Sequence, residues 1–244
     1  MKKVRAVLEI KNIEKSYNSF VALKNISLQV NNGELVVLLG PNGAGKSTLF
    51  SIITGLSRAD RGNCFIDGFN IAQDGIEALK RLGVVFQQPT IDLELTVKEN
   101  LFFHSRLHGL ELLEVKKTIE KELSISKLEK KINNKVKTLS GGERRKIELI
   151  RSLLHKPKML LMDEPTVGLD PGSRVDLLKK IIKLKVKGSL SILWTTHLVD
   201  EAEKADKIII LNKGRIQAIG SKSKILEMAK EKNLEKAFLK LVEN

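Results

Sequence analysis

A glycine-rich segment near residue 40 contains the residue types that bind phosphate. The segment reads Gly40-Pro41-Asn42-Gly43-Ala44-Gly45-Lys46-Ser47-Thr48. It matches the pattern G-x-x-x-x-G-K-S/T, in which backbone N–H groups converge on phosphate oxygens because glycine has no Cβ to obstruct them. The pattern predicts that Lys46 reaches the β- and γ-phosphates of a nucleotide and that Ser47 offers its hydroxyl to Mg²⁺. The alternative is a glycine-rich turn between a strand and a helix that binds no ligand.

Two adjacent carboxylates, Asp163 and Glu164, follow the apolar residues 159–162. Ligands of α/β proteins bind at the carboxyl ends of the strands, and successive strand residues point to opposite faces of the sheet. We therefore expect two separate roles. Asp163 is predicted to hold Mg²⁺ through water, and Glu164 to orient or deprotonate the water that attacks a γ-phosphate. Without a phosphate-binding loop in the chain, two solvated carboxylates would be the better interpretation.

Apolar runs of strand length alternate with helical patterns along most of the chain. This alternation predicts an α/β fold whose mainly parallel sheet is covered on both faces. The predicted strands are 7–10, 27–30, Leu35–Leu39, 82–86, 159–162 and 190–195, with a hairpin formed by 208–211 and 216–219. The predicted helices include 46–56 and 172–187.

Helical patterns without intervening strands occupy residues 97–155, and this stretch interrupts the alternation. We interpret it as an inserted helical subdomain, within outer bounds of about residues 90–155. Lysine and glutamate alternate with leucine in residues 221–244, which predicts a short helical tail. His104 and His108 have i,i+4 spacing within the helical region, but two ligands without a nearby third histidine or acidic residue make a poor metal site.

The overall composition favours a globular protein with anionic partners. The chain of 244 residues has 43 Lys and Arg against 29 Asp and Glu, a net charge of +14. Most of the excess is lysine and only 4% of the residues are aromatic, so we predict no specific nucleic-acid binding. No apolar run approaches the ~20 residues of a membrane span. Neither a secretory signal nor a second cysteine beside Cys64 is apparent, which favours a cytoplasmic location.

A second glycine pair begins another amphipathic helix. Leu139-Ser140-Gly141-Gly142-Glu143 places Ser140 and Glu143 at the spacing of a capping box. Capping does not account for Gly141 and Gly142, since each glycine inside a helix costs about 1 kcal/mol relative to alanine. Two of them in the first turn predict the close approach of a ligand to bare N–H groups, and hence a second anion site.

With these motifs in order, the chain resembles the ATP-binding cassette (ABC) ATPases over about residues 5–220. Residues 139–143 look like the family's signature motif. By this resemblance Tyr17 would stack on adenine, although it is equally compatible with a core position. Gln87 would contact Mg²⁺ and the attacking water, with Gln88 as the rival. Asp170 would lie in a loop that crosses between monomers while also capping a helix at Pro171. His197, at a strand end, would be the switch histidine.

The resemblance implies a P-loop NTPase core with a mainly parallel sheet, an N-terminal antiparallel β subdomain and an inserted α-helical subdomain, all within residues 1–220. It further implies an active ATPase that binds ATP and Mg²⁺. Two ATP molecules would lie between two head-to-tail monomers, so that the phosphate loop of one chain faces residues 139–143 of the other. A homodimer is expected, with a paralogous partner left open.

The segments 86–90 and 95–101 look most like those of exporter subunits. Such a subunit would drive a separate membrane permease and would lie on the inner face of the cell membrane through that permease. The alternative is a soluble ABC ATPase in an assembly role, such as iron–sulfur cluster assembly.

Overall fold

Two β-sheets and a group of helices make up the computed structural model, which describes residues 6–187 and 190–243. The strands are β1 (Ala6–Tyr17), β2 (Phe20–Asn31), β3 (Leu35–Leu39), β4 (Arg61–Ile66), β5 (Phe69–Asn70), β6 (Leu82–Val85), β7 (Met159–Asp163), β8 (Ser191–Thr196), β9 (Lys207–Asn212) and β10 (Arg215–Gly220). The α-helices are α1 (Lys46–Ile53), α2 (Gly75–Leu79), α3 (Val97–Leu107), α4 (Leu112–Ile125), α5 (Gly141–Leu153), α6 (Pro171–Lys187), α7 (Lys222–Ala229) and α8 (Leu234–Glu243).

The larger sheet has six strands in the order β10-β9-β3-β8-β7-β6. All its strand pairs are parallel except β9 with β10, which form an antiparallel hairpin. Every residue of β3 and β7 is buried, as expected for parallel strands that are covered on both faces. The carboxyl ends of β3, β6, β7 and β8 therefore meet at one edge of the sheet, where the segments that follow them form the site.

The smaller sheet is antiparallel, with the order β2-β1-β4-β5, and confirms the antiparallel N-terminal part. The prediction of two short strands in this part was wrong, because β1 and β2 each have 12 residues. Register shifts in their pairing interrupt the simple alternation of polar and apolar residues. Asn12 in β1 and Asn25 in β2 both have positive φ angles, of 50° and 53°. Such irregular positions end a strand pattern in the sequence while the hydrogen-bonded ladder continues.

Helices α3, α4 and α5 lie between β6 and β7 in the sequence, and short 3₁₀ turns at Glu129–Lys131 and Val136–Thr138 connect α4 to α5. These elements share an apolar cluster of their own, which includes Leu101, Ile119 and Ile147. Two other clusters fill the space between the two sheets and the space beneath α6, α7 and α8. Within residues 6–187 and 190–243, none of the helices combines the length and the apolar character that a membrane span requires.

Candidate functional site

The phosphate loop connects the buried strand β3 to α1, as its sequence pattern predicts. The N–H of Gly40 donates to the carbonyl of Thr196, and the N–H of Gly214 donates to the carbonyl of Ala44. The end of β8 and the turn between β9 and β10 therefore both hold the loop. Gly45 caps α1 with φ = 107°, and a Cβ there would lie 2.8 Å from the carbonyl oxygen of Ala22. Only glycine accepts both this backbone angle and this contact.

Lys46 is the first residue of α1, and its buried ammonium group points back into the loop. Its Nζ donates to the carbonyl oxygens of Gly40 at 2.8 Å and Pro41 at 3.1 Å. The carboxylate of Glu164 lies 3.3 Å from the same nitrogen. A buried ammonium in a glycine-rich loop supplies the positive charge that an anion site needs, and in this structure two carbonyl oxygens and a carboxylate compensate that charge.

Glu164 lies immediately beyond β7 and is buried. Besides Lys46, it faces His197, whose Nδ1 lies 3.1 Å from Oε2. A carboxylate can only accept, so this contact places the proton on Nδ1 of the imidazole. The backbone of Glu164 has a φ of 42°, in the left-handed region that residues other than Gly, Asn and Asp rarely adopt. The site therefore holds its carboxylate on strained backbone.

Asp163 is the last residue of β7, and its side chain has different partners from that of Glu164. Its carboxylate accepts a hydrogen bond from the hydroxyl of Thr195, the residue opposite it in β8. Burial raises the pKa of Asp163, and the neighbouring charge of Glu164 adds to the rise, while the Thr195 hydrogen bond and Lys46 oppose it.

An open pocket of about 390 Å³ lies over the phosphate loop. Its lining residues are Phe20, Ala22, Asn42, Gly43, Ala44, Gly45, Lys46, Ser47, Thr48, Gln87 and Glu164. The structure therefore brings Gln87, two residues beyond β6, to the same pocket as the phosphate loop and Glu164. The rival Gln88 does not line this pocket.

Tyr17 is placed differently from the loop residues. It lies at the end of β1, half exposed, with the ammonium of Lys15 5.3 Å from its ring centroid. It does not line the pocket, whereas its partner in the β1–β2 register, Phe20, does so with 64% of its surface exposed. Phe20 was not among the residues predicted from the sequence, where its only signal is an aromatic residue at a hairpin turn.

Ser140 caps α5, and its predicted capping box is present. The Ser140 hydroxyl accepts from the N–H of Glu143 at 3.2 Å, and the Glu143 carboxylate accepts from the N–H of Ser140 at 2.9 Å. Leu139 is buried just before the helix, whereas Ser140 and Gly141 are exposed. Among the described residues, none of the segment 139–143 lines the phosphate-loop pocket of the same chain.

The two glycines of this segment have different surroundings. A Cβ on Gly142 would lie 2.3 Å from the hydroxyl oxygen of Ser173, so α5 and α6 approach closely there. A Cβ on Gly141 would meet nothing nearer than the carbonyl of Gly168, at 4.0 Å. Packing within the chain thus accounts for Gly142, and only Gly141 leaves open space beside the helix terminus.

Asp170 precedes α6 and caps it, because its carboxylate accepts from the N–H of Ser173 at 3.0 Å. The Ser173 hydrogen bonds lower the pKa of Asp170, which is fully exposed. While it caps α6, the Asp170 carboxylate stays at the surface, close to Gly142 in the first turn of α5.

A buried ion pair in α5, which the sequence did not predict, connects the signature segment to the segment after β6 that carries Gln87. Arg145 donates to the carbonyl oxygens of Phe86 at 2.7 Å and Gln87 at 2.9 Å, and to the carboxylate of Glu148 at 2.9 Å. Glu148 in turn accepts from the N–H of Thr90 at 2.8 Å. Burial raises the pKa of Glu148, while Thr90 and Arg145 oppose the rise.

The prediction that His104 and His108 lack a third histidine nearby was wrong. The structure brings His155, which follows α5, against both of them, with a ring nitrogen of each residue within 4.8 Å of the others. The reason is tertiary: α3 and α5 pack side by side, so a residue far away in the sequence joins the i,i+4 pair.

Comparison with known proteins agrees with this arrangement. Residues 23–167 match the family model described as ABC transporter. The linearmycin resistance ATP-binding protein LnrL of Bacillus subtilis (strain 168) is 39% identical over 89% of this chain and 70% of its own length. The Nod factor export ATP-binding protein I of Rhizobium etli is 37% identical over 87% of this chain and 67% of its own.

Solved structures show the same similarity. The structure of an ATP-binding subunit of an ABC transporter superposes with a TM-score of 0.88 at 30% identity, over 96% of this chain and 99% of that one. The ADP conformation of MJ1267, an ATP-binding cassette of an ABC transporter, gives 0.83 at 30% identity with the same coverage. The phosphate loop, the paired carboxylates and the capped glycine helix are thus set in a matching fold, and the chain belongs to the ABC transporter family as an ATP-binding subunit with ATPase activity.

Proposed function

We propose that this subunit powers an exporter, hydrolysing ATP between two copies of the chain and driving a separate membrane permease. The observation that carries the proposal is the grouping of Lys46, Glu164, His197 and Gln87 around the phosphate loop. Export is supported by the names of the relatives, which include several Nod factor export ATP-binding proteins. Residues 1–220 would form the ATPase domain, with its helical subdomain at about 90–155, and residues 221–244 a short helical tail.

Each group at the pocket has a distinct role in the proposed reaction. Residues 40–48 bind the phosphates, and Lys46 neutralises the β- and γ-oxygens once it leaves the carbonyls of Gly40 and Pro41. That movement separates the ammonium from Glu164 and frees the carboxylate to accept a proton from the attacking water. His197 holds the carboxylate in place through Nδ1.

The residues at the site also fit Mg²⁺. Ser47, Gln87 and Asp163 offer a hydroxyl, an amide oxygen and a carboxylate, the hard oxygen ligands that Mg²⁺ prefers. Asp163 is held by Thr195, which suits an indirect contact through water. When bound with ATP, the cation supplies positive charge to the phosphate oxygens.

The second half of each ATP site comes from a partner chain in this proposal. Ser140 and Gly141 are exposed, and neither reaches the phosphate-loop pocket of its own chain. The positive end of α5, with the exposed Gly141 at its start, is suited to a γ-phosphate presented by another chain. Asp170 lies beside this terminus, at the same surface, and would take part in the contact between monomers. At the other end of the nucleotide, Tyr17 would stack on the adenine.

Copurification tests the transporter role against the alternative of a soluble assembly ATPase. Tagged protein is recovered from detergent-solubilised membranes and from the soluble fraction of the same cells, and the bound proteins are identified. A multi-span membrane protein that copurifies with the tagged chain would support a cytoplasmic subunit bound to the membrane through its permease. Soluble scaffold proteins without a membrane partner would support the assembly role instead, and would overturn the proposal.

A further inference from the structure

Three of the four histidines of the chain lie together outside the nucleotide pocket. His104 belongs to α3, His108 follows that helix, and His155 lies just beyond α5. Their ring centroids are 4.6 Å apart for His104 and His108, 5.9 Å for His104 and His155, and 4.0 Å for His108 and His155. None of the three lines the pocket over the phosphate loop.

Two ring nitrogens in this cluster are buried without a hydrogen-bond partner among the described residues, namely Nε2 of His104 and Nδ1 of His155. Buried polar atoms of this kind are rare in proteins and call for an explanation. The other nitrogen of His155, Nε2, lies 3.1 Å from the carbonyl oxygen of Leu82. A carbonyl can only accept, so Nε2 carries the proton and Nδ1 presents a lone pair. Metal-ligating histidines are commonly oriented in this way by a backbone carbonyl.

Metal ligands must be unprotonated, and burial favours the uncharged form of all three rings. Burial lowers the pKa of His104 to about 3 and that of His155 to about 4, and it also lowers the pKa of His108. Their ring nitrogens lie within 4.8 Å of one another. Zinc–nitrogen distances of about 2.0–2.1 Å in a tetrahedral site need about 3.4 Å between ligand atoms. A bound metal would therefore draw the three nitrogens closer together, which requires the His108 ring, now stacked on His155, to rotate and the other two rings to adjust.

The charges around the cluster limit how tightly a cation can bind. Arg151 lies on the α5 side and opposes positive charge at His104. Its guanidinium already donates to the carbonyl of Thr90 at 2.9 Å and to the Thr90 hydroxyl, and it faces the carboxylate of Glu148. Imidazole nitrogens without a carboxylate select borderline ions such as Zn²⁺, Ni²⁺ and Cu²⁺ over Mg²⁺ or Ca²⁺.

We propose that His104, His108 and His155 form a binding site for a divalent transition metal, with three imidazole ligands and a fourth position open to water. Bound Zn²⁺ would join the end of α3 to His155, just beyond the end of α5. Since α5 begins at the signature segment, the metal would fix that helix within the helical region.

Zinc binding to the untagged protein tests the site directly. After treatment with a chelator, the protein is titrated with Zn²⁺ against a chromophoric competitor, with excess Mg²⁺ present to occupy oxygen ligands. One equivalent is expected to bind, and Co²⁺ in its place is expected to give the visible absorption of a tetrahedral site. His108→Gln and His155→Gln are each expected to weaken zinc binding by about 10-fold or more. Losing a residue that only hydrogen-bonds to a metal ligand already has an effect of about this size.

His197→Gln is the matched control, because it removes the one histidine outside the cluster and should leave zinc affinity unchanged. His108 is half-buried, so its variant is expected to fold even if replacement of His155 disturbs the packing of α5. Zinc should also raise the melting temperature of the wild type and not that of His108→Gln. The proposal is overturned if the wild type binds no zinc, or if His108→Gln binds it as tightly as the wild type.

Discussion

The ring of His197 contacts the carboxylate of Glu164, with Nδ1 3.1 Å from Oε2, although different strands carry the two residues. Glu164 follows β7 and His197 follows β8, and these strands pair in parallel with Asp163 opposite Thr195. The contact therefore depends on the register of two central strands and not on a flexible loop. A rigid scaffold of this kind is what a reaction that depends on orientation requires.

Replacing Glu164 with glutamine should abolish turnover and preserve ATP binding. The amide keeps the shape of the side chain but cannot accept a proton from water. We expect kcat to fall by about 10²–10⁴-fold, the usual contribution of a positioned general base. Steady-state hydrolysis together with equilibrium ATP binding measures both effects. Comparable hydrolysis by the variant and the wild type would remove Glu164 from this role.

Lys46→Ala should weaken nucleotide binding itself, because it deletes the charge that faces the phosphates. Saturation at 100 times the Kd stabilises a protein by about 2.7 kcal/mol, and 100-fold weaker binding would leave about 0.4 kcal/mol. The measurement is the shift in melting temperature caused by ATP. Lys80→Ala is the matched control, since it removes an exposed lysine outside the pocket. An undiminished shift in Lys46→Ala would count against the phosphate-loop assignment.

Mixing two inactive variants should restore one complete ATP site if the site is shared between chains. Lys46→Ala disables the phosphate-loop half, and Ser140→Arg places a bulky side chain at the start of α5. A mixed dimer has one interface with both defects and one with two intact halves. With Glu164→Gln added to both chains, we expect ATP-dependent heterodimers of differently tagged chains.

Ser140→Ala controls for the lost helix cap, which alone is worth about 1 kcal/mol. It should fold and pair better than Ser140→Arg. No rescue in the mixture would indicate a site contained within one chain or a paralogous partner. Size-exclusion chromatography of the Glu164→Gln single variant with ATP separates these two explanations, because only a self-pairing chain shifts to a dimer.

The Arg145–Glu148 pair should couple the Gln87 segment to α5 as well as stabilise the fold. Its side chains are only 6% and 1% exposed, so Arg145→Met leaves a buried carboxylate without its hydrogen-bonded cation. We expect a loss of about 3–5 kcal/mol in the free energy of unfolding. Adding Glu148→Leu should recover much of it, although the N–H of Thr90 then lacks its acceptor. ATPase activity should stay low in the double variant, since Arg145 no longer donates to the carbonyl of Gln87. Recovery of both stability and activity would reduce the pair to a structural role.

Cys64 should be unreactive in the folded chain. It lies in β4, 2% exposed, and burial raises the pKa of its thiol to about 12. At pH 8 a thiol of that pKa is about one part in ten thousand thiolate, the reactive form. Labelling with a disulfide reagent should be slower by orders of magnitude in buffer than in urea. Similar rates under the two conditions would show that β4 opens readily.

The local motifs of the site could be predicted from the sequence because each is contiguous and has its own backbone requirement. The phosphate loop needs glycine at fixed offsets, and Ser140 and Glu143 satisfy each other across one helical turn. The strands that carry Asp163 and His197 are equally clear, because parallel strands buried on both faces consist of continuous apolar runs.

Contacts between distant segments could not be predicted in this way. Arg145 looks like one more basic residue on an amphipathic helix, and only packing shows that it reaches the carbonyl of Gln87. His155 has no spacing relation to His104 or His108 in the sequence. Gly142 has a pattern compatible with ligand binding, whereas its close neighbour is Ser173 of the same chain.

At position 164, which has a left-handed backbone, stability and catalysis favour different residues. For folding alone, glycine would be the better residue there, because it adopts a φ of 42° without strain and leaves no buried carboxylate. The chain instead keeps an acid on unfavourable backbone. A library of variants at this position, sorted once for thermal resistance and once for turnover, should therefore enrich different residues: glycine in the first sort and glutamate in the second.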